Sequence, residues 1–148
     1  MTTQQQTQTQ AVTAETRAEV QQFYAVHMQL LDNGAIDAWA DTFTPDATFS
    51  VPTLPEPMRG RAELAESLRR TTVELAAEGV RRRHWHGMVA IFPEPDGSLR
   101  VRCYALVFST KLGGEPGLHR VCVCEDLLVR EGGSLLVHRR HVTRDDLP

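Results

Sequence analysis

Apolar positions recur at three- and four-residue steps through the first half of the chain, and after Gly79 they alternate two by two. Val20, Phe23, Tyr24, His27, Met28 and Leu31 follow the first rule and predict an amphipathic helix over residues 14–33, ended at Asn33-Gly34. Ile36, Ala38, Trp39, Ala40 and Phe43 predict a second, short helix over residues 35–43, halted by Thr44-Pro45. Leu64, Leu68 and Leu75 predict a third over residues 61–78, with Gly79 placed to cap it. Between the last two, residues 47–51 alternate as a strand, and Pro52, Pro55 and Pro57 make residues 52–57 a loop able to cover a pocket mouth. Four longer strands are predicted at residues 83–92, 99–110, 119–130 and 135–142, with turn-like separators at residues 94–97, 112–117 and 131–133. Three helices followed by an antiparallel meander imply an α+β fold, its strongly bent antiparallel sheet wrapped around the helices.

Composition narrows the picture in a few places. The chain of 148 residues fits one domain. Residues 1–13 are Gln/Thr-rich and read as a disordered tail, which leaves residues 14–146 as the domain. A net charge of −3 argues against nucleic acid as a partner. An apolar run of about 18 residues is missing, as is a basic-then-apolar start, so a cytoplasmic protein without a membrane partner is expected. Cys103, Cys122 and Cys124 sit in apolar strand stretches and are expected as free buried thiols, with a structural zinc site unsupported by their spacing.

The candidate chemistry centres on Arg83-His84-Trp85-His86. On a strand His84 and His86 share one face and Trp85 takes the other, so two imidazoles point the same way. Asp32 falls in the last turn of the first helix, where its charge opposes the helix dipole and gains from an outside donor such as a histidine. The Arg81-Arg82-Arg83 run is expected as exposed charge at a helix-to-strand junction. In His138-Arg139-Arg140-His141, alternation puts His138 and Arg140 on one face.

Several pieces resemble a known family. Residues 31–37 (LDNGAID) with 43–47 (FTPDA), Arg59-Gly60-Arg61, Arg83-His84 and residues 125–133 (EDLLVREGG) look like SnoaL-like proteins of the nuclear transport factor 2-like superfamily. The resemblance implies a cone-shaped fold, a homodimer through the outer sheet face, and a small-molecule enzyme of the dehydratase, cyclase or isomerase kind acting on an aromatic polyketide intermediate, without metal or organic cofactor. Compared with scytalone dehydratase, Asp32 and His84 occupy the positions of a catalytic carboxylate and histidine. Leu31, Val51 and residues 109–111 stand where that enzyme has two tyrosines and a second histidine, so the water-holding set is incomplete. His86, Tyr24, Tyr104, Trp39 and Asp126 are the candidate substrate contacts.

Two other classes compete with an acid/base enzyme. One is a non-catalytic binding or assembly subunit, like the small subunits of ring-hydroxylating dioxygenases, its cavity plugged by Trp85, Trp39 or Phe49. The other is a metal site built on His84 and His86 with Asp126 or Asp32.

Overall fold

Thr13 opens the first helix in the computed structural model, which describes residues 12–148: its hydroxyl accepts the Thr16 N–H at 3.0 Å. Helix α1 (Ala14–Asp32) buries Val20, Tyr24, His27 and Met28, one stripe at helical spacing. Val12 packs against the core, so both described residues of the predicted tail have structural partners; residues 1–11 lie outside the described part. At Gly34 (φ +67) a side chain would meet Thr72 at 3.3 Å, so the turn out of α1 sits directly against the third helix. Helix α2 (Ile36–Ala40) is one short stretch that buries Trp39 and Ala40.

Strand β1 (Phe43–Ser50) starts four residues earlier than its alternation predicts. Phe43 is strand rather than helix because it pairs with Val137, whose N–H donates to the Thr42 carbonyl at 2.9 Å. Pro45 is tolerated because the pairing of β1 breaks register between Phe43 and Thr48. A two-residue strand β2 (Met58–Arg59) then leads into helix α3 (Gly60–Glu78). Here the Arg59-Gly60-Arg61 piece has a mechanical explanation. Gly60 has φ +80 with the Pro45 carbonyl 3.4 Å from where a Cβ would stand, and Arg61 donates from Nε and Nη2 to the Phe43 carbonyl at 2.8 and 2.6 Å. The motif fastens α3 to the start of β1.

The remaining strands are β3 (Val80–Pro93), β4 (Leu99–Lys111), β5 (Pro116–Glu131) and β6 (Ser134–Arg144); β4 exceeds its predicted span by one residue and the others by one to three at each end. They form one six-stranded sheet in the order β2-β1-β6-β5-β4-β3. Neighbours are antiparallel except β1 and β6, which run parallel, so the expected purely antiparallel sheet is mixed. Register breaks at Gly87/Ala90, Val107/Phe108 and Leu127/Leu128 are bulges, the local device that bends a sheet. Met88, at the first, has φ +52. At the last, His138 is the unpaired residue, which reverses the alternation along β6: Arg140 turns inward, 3 % exposed, and the expected shared face of His138 and Arg140 is lost.

The core lies between the concave sheet and the helices. Val20, Phe43, Leu64, Val101, Leu128 and Val137 have no exposed surface. Cys103, Ala105, Cys122 and Cys124 form a smaller apolar cluster further along the same inner face. No described helix is long and apolar enough to cross a membrane.

Candidate active site

The end of α1 meets the start of β3 at Asp32 and His84. The His84 backbone N–H donates to Asp32 Oδ2 at 3.0 Å, and the ring Nδ1 lies 2.6 Å from Oδ1. An ionised carboxylate only accepts, so Nδ1 carries the proton and Nε2 is left as the free, basic nitrogen. The side chains are 8 % (Asp32) and 25 % (His84) exposed: the acid is shielded and the imidazole reaches solvent space.

That space is a cavity of about 930 Å³ between α3, the start of β3, the end of α1 and the loop after β1. Its size suits a ligand of several fused rings. Asp32, His84, Trp39, Phe49, Thr72 and Arg82 are among its lining residues. A second groove of about 840 Å³ runs between α1 and the middle of β3, past Tyr24, Trp85, His86 and Met88. Asp32 and His84 line both spaces, so the dyad stands at the partition between them.

Two residues that line the main cavity each carry a buried N–H with no partner among the described residues, Trp39 Nε1 and Arg82 Nε, and neither nitrogen is itself exposed to the cavity. Burying such a group without a hydrogen bond costs about 1–3 kcal/mol. Arg82 corrects the expectation of a purely solvated arginine run. Arg81 and Arg83 are exposed, but Arg82 is partly buried on the same face as His84. The alternation that placed His84 and His86 together also placed Arg82 with them, and that was the signal available.

The other expected contacts divide. Trp39 is in the main cavity wall and His86 in the second groove. Tyr24 lines the second groove with its ring, but its hydroxyl is turned into the core, donating to Asp126 Oδ2 at 2.7 Å. Asp126 lines neither space. It is 3 % exposed and forms a fork with Arg140, at 2.9 Å from Nε and 2.8 Å from Nη2, while the Cys124 thiol approaches Oδ1 at 3.3 Å. Burial alone would raise the Asp126 pKa; Arg140, with the bonds from Tyr24 and Cys124, outweighs it and holds the carboxyl below the usual range. This pair fixes β5 to β6 and α1, which is why Asp126 is not available to a ligand. Tyr104, 49 % exposed, faces outward because Cys103 and Ala105 take the inner positions of β4, so it too lies outside both spaces. Trp85, 63 % exposed, borders the second groove but does not line the main cavity, so it does not plug it. The rival metal set fails on geometry as well, since His84 is tied to Asp32 while His86 Nδ1 points at Cys103 Sγ, 3.5 Å away.

His27 is a buried titratable group that periodicity marked only as a core position. Its Nδ1 lies 2.7 Å from Thr42 Oγ1, whose own proton goes to the Trp39 carbonyl at 2.5 Å; Nδ1 is therefore the donor and Nε2 a lone pair without a partner.

A family model described as a SnoaL-like domain matches residues 12–141. A protein from Catenulispora acidiphila is 36 % identical, with 90 % of this chain and 94 % of that one covered at a TM-score of 0.81. A Catenulispora acidiphila structure in complex with S-DNPA is 35 % identical over 90 % and 96 % of the two chains, TM-score 0.80. ActVI-ORFA from Streptomyces coelicolor is 32 % identical over 92 % and 99 %, TM-score 0.85. The beta subunit of benzoate 1,2-dioxygenase from Burkholderia mallei shares the fold at 20 % identity, with 87 % and 90 % covered and a TM-score of 0.74. No match was found among curated proteins. With the α+β cone, the curled sheet and a family match across nearly all described residues, this chain belongs to the SnoaL-like family, within the nuclear transport factor 2-like fold.

Proposed function

We propose that the protein is an enzyme that moves protons on an aromatic polyketide-type intermediate, in a dehydration, cyclisation or isomerisation, with His84 as general acid/base and Asp32 as its positioning carboxylate. The observation that carries this is the Asp32–His84 pair at 2.6 Å, set in the wall of a cavity of about 930 Å³. Asp32 fixes the ring's orientation and tautomer, so Nε2 takes a proton from a carbon next to a carbonyl and returns it to a leaving hydroxyl or to another carbon. The negative charge that develops on the carbonyl oxygen needs donors. Arg82 and Trp39, which line the cavity, would supply them. A solved relative at 35 % identity, in complex with S-DNPA, supports a small-molecule pocket in this part of the family.

We also assign the outer sheet face to a homodimer. Trp85, Leu106 and Val121 stand in register across β3, β4 and β5, as do Tyr104 with Val123 and Phe108 with Leu118, and much of this apolar band is exposed.

S-DNPA is the first binding probe, and turnover is read on a panel of aromatic polyketide intermediates. His84→Ala, Asp32→Asn and the double variant should each lower kcat by a similar factor, about 10²–10⁴, because either change disables one proton transfer. Effects that multiply in the double variant, or turnover unchanged by His84→Ala, would refute the dyad.

A further inference from the structure

We propose a metal site on the inner sheet face, separate from the dyad, in which Cys103, Cys124 and His86 bind one Zn²⁺ or similar thiophilic divalent ion. The three side chains converge from three strands by register. Cys103 and Cys124 are direct partners across β4 and β5, and His86 pairs with Ala105, two residues from Cys103 on the same face. One ligand atom from each lies within 4.8 Å of the other two, and Cys103 Sγ to His86 Nδ1 is 3.5 Å.

Zinc bond lengths of about 2.3 Å to sulfur and 2.0–2.1 Å to nitrogen give tetrahedral edges of about 3.6 Å for S–N and about 3.8 Å for S–S. The observed Cys103 S–N spacing of 3.5 Å already matches, and the other two spacings are at most 4.8 Å. Core thiols kept as small hydrophobes pack against apolar groups alone; these two belong to an apolar cluster yet also face an imidazole and a carboxylate. The thiols are 1 % exposed, whereas His86 lines the groove beside α1, which supplies the entry path and leaves the fourth position to water.

Charge closes too. Binding expels one proton from each thiol, and the two thiolates balance the dication. Asp126, 3.3 Å from Cys124, brings no excess charge because its carboxylate is paired with Arg140. The site rests on residues that the proposed proton transfer does not use, so either can fail alone.

The test uses the full chain, reduced and stripped of metal, titrated with Co²⁺. One equivalent should give thiolate-to-cobalt charge-transfer absorption with the intense visible bands of a tetrahedral ion, and Zn²⁺ should abolish them. Cys103→Ser and Cys124→Ser should each weaken Co²⁺ binding at least ~100-fold, above the 10–100-fold seen when a mere supporting group is lost. His86→Asn, on the groove side, tests the same site should a cysteine variant not fold, and should weaken binding while part of the charge-transfer band remains. Cys122→Ser and His84→Ala should leave Co²⁺ binding as it is. Absence of charge-transfer absorption in the reduced wild-type protein, or its persistence in the Cys103→Ser/Cys124→Ser double variant, would overturn the proposal.

Discussion

His27 should make the protein lose stability as the solution is acidified through the ordinary histidine range. Burial is the main cause that holds its imidazole well below its usual pKa; Arg140, His86 and His84 add to it electrostatically. The side chain has no exposed surface, its Nε2 is unpartnered, and it is stacked on Phe23 and Trp39 with Phe43 at its edge. The native state therefore keeps it neutral at pH values where the unfolded chain binds a proton near 6.5. With the folded pKa depressed, stability is present above the unfolded pKa and falls as pH drops below it. Between pH 7.5 and 5.5 this one group should cost about 1.4 kcal/mol, the linkage value for a tenfold change in proton competition. In a domain of this size that is a fall in Tm of roughly 3–6 °C. The assay is urea unfolding at both pH values for the wild type and for His27→Phe, which keeps an aromatic ring in an aromatic site. Only the change with pH is compared, so the variant's altered packing and the titration of other groups cancel. A stability difference between the two proteins that is the same at both pH values, within about 0.5 kcal/mol, would refute the argument.

Asp126→Asn should destabilise the fold by about 3–5 kcal/mol in denaturant unfolding, because it leaves the buried Arg140 guanidinium without its counter-charge. The same pair predicts acid sensitivity below the carboxylate range: with the Asp126 pKa depressed, its contribution is complete above the unfolded value of about 3.9 and is lost as pH falls through the folded one. Trp85→Glu, at the centre of the outer apolar band, should convert a dimer to monomers by sedimentation without unfolding it. Thr13→Ala should cost ~1 kcal/mol by loss of the α1 cap, whereas deleting residues 1–11 should leave Tm and activity unchanged.

Periodicity alone determined much of this molecule. Three helical stretches and four long strands were legible because each buries one stripe or one face, and a buried face must repeat with the period of its backbone. The same period put Arg82, His84 and His86 on one side of β3. The Asp32–His84 pair was legible from chemistry and family resemblance together: a carboxylate in a last turn seeks a donor, and His84 stands where the family places one.

What the tertiary structure decided lies in pairings between distant segments. Phe43 became strand because Val137 was there to bond, and β1 ran parallel to β6 because nothing local to either strand sets the direction of a partner ninety residues away. A single bulge at His138 turned Arg140 inward, and that inward turn gave Asp126 its counter-charge, removed Asp126 and the Tyr24 hydroxyl from any ligand, and added positive charge near the buried His27. Alternation cannot anticipate a bulge, since one unpaired residue flips every side chain after it. The meeting of Cys103, Cys124 and His86 is of the same kind: each residue was visible alone, and only the register of three strands set them against one another.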